Sequence, residues 1–351
     1  MKKTILIAVI CGLALLCGCS AWLNGSYASV NPHKEQNFHP EQVLLAPKNY
    51  EDIERILVNM ILSGQQKKTI SMEKMKGNWR EYVADAVNYV CDEYPMGAYA
   101  VLDVRYDIDT SGDKTVLVVE ITYRRSIAEI GGVLRVENQK EIEEILHSAL
   151  RFLDISVALS FEEYKEVDFS QIIQDYAMLY PQYVMEVPHI SVRMYPNEGS
   201  ERIVELVFSY GTSRSSLRQM QQQVDLIFSA SEMYVSGEAD EIDKYAQLYS
   251  FLMNRYDYTV RTSTTPAYSL LYNGVGDNKA FATVYAAMCR QAGLNCETVS
   301  GTRLGRPWHW NRLQIDNEVY YVDLLRCIEK GQFFYNTAQT MTDYVWDGSA
   351  Y

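Results

Sequence analysis

Few residues of this chain can do covalent chemistry. Seven cysteines and five histidines stand among 351 residues. Cys11, Cys17 and Cys19 crowd the N-terminus, while Cys91, Cys289, Cys296 and Cys327 are scattered through the rest. No two of them form a CxxC, and no cysteine–histidine cluster has zinc spacing. Spacing alone pairs none of Cys91, Cys289, Cys296 and Cys327, and buried free thiols are the expected state. No glycine loop of the phosphate-cradling kind is present, so no cofactor is expected. Late in the chain, a thiol (Cys289), an imidazole (His309) and a carboxylate (Asp323) fall within one stretch. A thiol, an imidazole and a carboxylate are the parts of nucleophilic acyl transfer: one attacks, one relays the proton, one orients the base.

Two helices precede this stretch. Residues 215–234 place Leu217, Met220, Val224, Ile227 and Phe228 at helical spacing, and residues 240–256 do the same with Ile242, Tyr245, Leu248, Tyr249, Leu252 and Met253. Upstream, the chain says the same thing twice. Asp52-Ile53-Glu54-Arg55-Ile56-Leu57 is echoed by Glu141-Ile142-Glu143-Glu144-Ile145-Leu146. Tyr94-Pro95 returns as Tyr180-Pro181, Val104-Arg105 as Val192-Arg193, and Ile121-Thr122-Tyr123 as Phe208-Ser209-Tyr210. A near-constant offset with small insertions is what a duplicated unit gives. Each copy reads helix, short strand, helix, strand, strand, over 49–126 and 138–213 within a region spanning 49–220. The hairpins turn at Thr110-Ser111-Gly112-Asp113 and Pro196-Asn197-Glu198-Gly199. Nothing in either copy concentrates chemistry, so a scaffold or binding module is expected there.

The composition is that of a folded chain, with 48% hydrophobic and 22% charged residues. A formal charge of -13 gives no electrostatic footprint for nucleic acid, which is not expected as a partner. Met1-Lys2-Lys3-Thr4 leads into an apolar run from Ile5 to Cys17 that is too short to span a bilayer comfortably. Its exit, Leu16-Cys17-Gly18-Cys19-Ser20, resembles the lipobox of bacterial lipoproteins. That resemblance implies a signal peptide over 1–18, lipidation of Cys19, and export to the outer face of a bacterial membrane. Acyl chains on Cys19 would hold the protein there. Residues 19–48 show no sustained periodicity and are expected to be a tether.

From about Asp240 to the C-terminus, within an expected domain spanning 221–351, the chain resembles the transglutaminase-like superfamily, a papain-like α+β fold of cysteine-dependent acyl-transfer enzymes. The resemblance is carried by Gly274-Val275-Gly276-Asp277-Asn278-Lys279-Ala280-Phe281-Ala282, by the stretch from Ala287 to Gly301, and by Trp308-His309-Trp310-Asn311 running on to Val322-Asp323. It implies a thiolate at a helix N-terminus, a histidine on a strand, and an aspartate on the next strand. Those positions hold Asn278, Trp308 and Asp323. An amide is no nucleophile in this setting, and an indole accepts no proton. His309 lies one residue past the base position, which turns it to the other face of a strand unless a bulge turns it back. Cys289 lies about 16 Å down the same helix, too far from its mouth. Asp277 is a carboxylate with nothing to mark it as an attacker.

The expected architecture is therefore α+β, with duplicated αβαββ units followed by a papain-like domain. The expected role is binding or scaffolding by a degenerate enzyme domain at the cell envelope, toward a peptide or cell-wall component. The alternative is an active acyl transferase or peptidase with a displaced triad. Trp308, Trp310 and Tyr321 carry two open readings: filler for the sheet face, or the lining of a groove.

Overall fold

The computed structural model describes residues 46–110, 114–348 and 350. The expected signal segment, Cys19, the tether up to residue 45 and the tip of the first hairpin lie outside the described residues.

The described chain opens with helix α1 (Tyr50–Ser63), whose N-terminus is fixed by the Asn49 side chain accepting from the Asp52 amide. Gly64, with φ 65°, ends it in the left-handed conformation that glycine adopts without penalty. Strand β1 (Lys67–Ser71) follows, then α2 (Trp79–Asn88), α3 (Pro95–Ala100), β2 (Val101–Asp109) and β3 (Val116–Tyr123). The strands form an antiparallel sheet in the order β1-β3-β2. On β3 the residues alternate, so Leu117, Val119 and Ile121 bury against Ile53, Ile56, Leu57 and Met60 of α1.

After a short helix α4 (Ile127–Gly131) and a two-residue strand β4 (Leu134–Arg135), the succession repeats. It runs α5 (Gln139–Phe152), β5 (Ser156–Phe161), α6 (Phe169–Leu179), β6 (His189–Tyr195) and β7 (Arg202–Ser209). The sheet order is again first, third, second strand: β5-β7-β6, with β4 added in parallel outside β5. Strand β7 differs from β3 in one respect. Ile203, Val204, Glu205 and Leu206 are all buried. Val204 and Leu206 join the core of the second unit, while Ile203 joins that of the first. Both faces of β7 are therefore covered.

Glu205 lies on the face turned to the first unit. It is 3% exposed, and its carboxylate accepts from the Arg125 guanidinium at 2.7 Å. Arg125 in turn lies over the Tyr99 ring at 4.7 Å. A buried carboxylate without its cation is costly, so this ion pair ties one unit to the other.

The remaining chain holds α7 (Arg214–Tyr234), α8 (Glu241–Met253), β8 (Asp257–Tyr258), α9 (Pro266–Leu271), β9 (Val275–Gly276) and α10 (Asn278–Gln291). Then come β10 (Cys296–Arg303), β11 (Arg306–Ile315), β12 (Glu318–Val322), α11 (Leu324–Lys330) and β13 (Tyr344–Val345). Ten consecutive residues of α10, Ala280 to Cys289, are buried. A helix apolar all round belongs at the centre of a domain, and α10 packs among α8, α9 and the antiparallel sheet β12-β11-β10-β13. The whole is α+β. Among the described residues no helix is long and apolar enough to cross a membrane.

Arg125→Ala should leave Glu205 buried without its near cation and cost about 3 kcal/mol. Arg193 reaches the same carboxylate at 3.7 Å, but its side chain is 59% exposed. Arg193→Ala should therefore cost under about 1 kcal/mol. Guanidinium denaturation of the two variants checks the contrast.

Candidate functional site

The site is built where α10 begins. Strand β9 pairs in parallel with β8, and its Gly276 delivers the chain to the helix. A Cβ on Gly276 would lie 3.0 Å from the Leu270 side chain and 3.2 Å from that of Ala280, so only glycine lets α9 and α10 approach here. Asp277 caps the helix, its carboxylate accepting from the Ala280 amide at 2.9 Å. Asp277 is thus engaged with backbone. Asn278, the expected nucleophile position, is the first helical residue. Its Nδ2 is buried and has no hydrogen-bond partner.

Strand β11 crosses in front of this helix. Its register with β10 is unbroken: Gly301 faces Trp308, Ser300 faces His309, Val299 faces Trp310 and Thr298 faces Asn311. No bulge intervenes, so adjacent residues point to opposite faces. The Asn311 Nδ2 and Thr298 hydroxyl both donate to the Ala282 carbonyl of α10, at 2.8 and 3.4 Å. His309 shares that face. Its Nδ1 is buried without a partner, and its pKa is pushed down to about 4. Burial is the main cause and the nearby Lys279 ammonium the second, opposed by Asp277.

Trp308 and Trp310 point the other way. The Trp308 indole Nε1 donates to Asp323 Oδ2 at 2.9 Å. The Trp308 ring also lies 6.5 Å from that of Tyr258 on β8, beside the strand that feeds Asn278. Asp323 itself is not on a strand. It stands one residue past β12 and caps α11, with Oδ1 accepting from the Leu325 and Arg326 amides at 3.1 and 3.3 Å. Oδ2 accepts from Trp308 and from the Tyr344 hydroxyl at 2.7 Å. The Arg303 guanidinium stands 3.6 Å from the same oxygen and lies over the Trp308 and Tyr344 rings at 5.6 and 5.7 Å. Burial, and then the Asp323 charge, push the Tyr344 phenol above its ordinary pKa, so it stays a donor. At 3% exposure the carboxylate has both oxygens filled.

Of the two open readings, sheet filler describes Trp310 and Tyr321. Trp310 is fully buried and Tyr321 is 9% exposed, both in a cluster with Val299, Met341 and Tyr344. The reason is β13, which pairs with β10 and brings Tyr344 and Trp346 against the Trp310 ring at 5.0 and 5.4 Å. Gly301 makes room for that ring, since a Cβ there would stand 2.7 Å from Trp310 Cη2. Trp308 alone of the three keeps partial exposure.

All four described cysteines are free thiols. Cys289 is buried near the far end of α10, and burial drives its pKa well up. Cys327 donates to the Phe334 carbonyl at 3.4 Å, with its pKa pushed up to about 12 by burial. Cys91 belongs to the first core and is half-buried. Among the described residues no three His, Cys, Asp or Glu side chains stand together to hold a metal ion. Arg303 and Tyr344 were not singled out from sequence. An Arg on the strand before the Trp-His-Trp hairpin was the only signal available.

The family model of the transglutaminase-like superfamily matches residues 229–334. This segment is a transglutaminase-like domain. It contains Asn278, Trp308, His309 and Asp323. Several solved structures are similar to the chain. One described as a TGase shares 13% identity over 64% of this chain and 68% of its own, with a TM-score of 0.29. A putative cysteine protease from Cytophaga hutchinsonii shares 14% over 46% of this chain and 72% of its own, with a TM-score of 0.26. A putative protease from Parabacteroides distasonis shares 9% over 65% of this chain and 38% of its own, with a TM-score of 0.25. No curated protein matches the chain.

Within the transglutaminase-like domain, Trp308→Phe keeps a ring and deletes one donor to a buried carboxylate. It should cost about 2 kcal/mol, and so should Tyr344→Phe. A double-mutant cycle by chemical denaturation should show coupling, because both serve Oδ2. The His309 ring predicts a pH effect. Its folded pKa lies below the ordinary 6.5, so as pH falls the unfolded chain binds the proton first. Stability should therefore drop between about pH 6.5 and 4. His309→Gln should flatten that window in denaturation measured at stepped pH.

Proposed function

We propose that this protein is a lipid-anchored envelope protein whose transglutaminase-like domain holds a partner rather than turning it over. The observation that carries the reading is the hydrogen bond from Trp308 Nε1 to Asp323 Oδ2. The contact that would orient a catalytic imidazole is made by a group that only donates. The same carboxylate is filled by Tyr344 and by helix α11, so it has no oxygen left to orient His309. At the mouth of α10 an amide stands where a thiolate would attack. Cys289 shares the helix but sits about three turns down it. Anchoring at Cys19, export and a peptide or cell-wall partner belong to this proposal and rest on the sequence pattern.

One observation favours a second reading. His309 Nδ1 is unpartnered, and the ring faces the helix that carries Asn278. A histidine so placed could serve a displaced site if a nucleophile came to it. Purified protein given a glutamine-bearing peptide should release no ammonia above the buffer rate, and a thiol-directed acyl probe should label no cysteine selectively. Turnover abolished by His309→Ala and by one cysteine-to-serine change would replace the first reading with the second. For the anchor, Cys19→Ser should abolish incorporation of labelled palmitate and move the protein from the membrane pellet to the soluble fraction. Retention in the pellet with no lipid label would sink that part of the proposal.

A further inference from the structure

Cys289 and Cys296 carry a feature that the candidate site does not use. The last turn of α10 ends at Gln291, and the chain reverses through Ala292 and Gly293, the latter with φ 78°. The Leu294 amide donates to the Cys289 carbonyl at 2.9 Å, which folds the returning chain back over the end of the helix. Two residues later Cys296 opens β10, its carbonyl accepting from the Arg290 guanidinium at 2.8 Å. Both cysteines are fully buried in one core cluster, and the Cys296 thiol lies close enough to help raise the Cys289 pKa. The two other described cysteines are committed elsewhere. Cys327 donates to Phe334, and Cys91 lies in the core of the first repeat.

We propose that Cys289 and Cys296 are a disulfide pair, closed as the chain folds in the presence of a disulfide oxidant, and that the bond pins α10 to β10. The chemistry is thiol–disulfide exchange. One cysteine thiolate attacks a sulfur of the oxidant disulfide and expels its partner as a thiolate. The second cysteine then attacks the mixed disulfide at the protein sulfur and expels the other oxidant half. Two protein thiols become one S–S bond, and the oxidant disulfide is reduced to two thiols. In the folded, reduced protein the pair is sheltered, and burial holds the Cys289 thiol in its protonated form, so the exchange belongs to the folding chain.

The test uses the full chain, unfolded and reduced, then refolded with glutathione disulfide and glutathione. After acid quench, the free thiols are alkylated in denaturant and the protein is cut with trypsin, which cleaves at Arg290 between the two cysteines. The expected result is a linked pair of peptides through Cys289 and Cys296, with Cys91 and Cys327 alkylated. The oxidised form should melt about 5 °C above the reduced one. Folded reduced protein in the same buffer should form the link at least about tenfold more slowly. A Cys289→Ser, Cys296→Ser variant that keeps its circular dichroism spectrum should lose the link. Cys289 and Cys296 both alkylated after refolding, a dominant link through any other cysteine, or a link that lowers the melting temperature would each overturn the proposal.

Discussion

A carboxylate taken out of water must have its lone pairs met, and Asp323 meets that demand from four sides. Its Oδ1 closes the first turn of α11, while its Oδ2 gathers an indole, a phenol and, at the edge of contact, a guanidinium. Each donor comes from a different element: β11, β13, the end of β10, and α11 itself. The charge therefore organises the domain's C-terminal layer. The Trp308 indole meets one lone pair of the aspartate. It also presents an aromatic face on which Arg303 rests.

That hydrogen bond separates the fates of the two tryptophans of one strand. Trp308 is anchored at its polar tip and keeps part of its ring open. Trp310, two residues on, is sealed beneath Tyr344 and Trp346. Aromatic side chains bury large apolar areas, and the layer under β13 holds by that contact as much as by hydrogen bonds.

Much of this was legible from residues alone. The echo of Ile53-Glu54-Arg55-Ile56-Leu57 in Ile142-Glu143-Glu144-Ile145-Leu146 located two equivalent helices. The alternation on β3 located the apolar face. Strand periodicity set Trp308 and His309 on opposite sides of β11. What stayed hidden was long-range. Nothing local ties Tyr344 to Asp323, or Trp346 to Trp310, across twenty or more residues of intervening chain. The choice between sheet filler and groove stayed open for that reason: a strand face looks open until the segment that covers it is known. Glu205 was equally silent, since an acidic residue in a strand reads as solvent-facing until its neighbour's arginine is placed beside it.

The joint between the two sheet units is also one-sided. Alignment of Ile121-Thr122-Tyr123 with Phe208-Ser209-Tyr210 makes Val118 the counterpart of Glu205 and Thr212 the counterpart of Arg125. The first copy carries the plug without the socket, and the second carries the socket without the plug. Thr212 is already occupied, its amide donating to Glu186 at 3.1 Å as the chain turns into α7. A third copy appended in the same manner would meet a hydroxyl where it needs a cation.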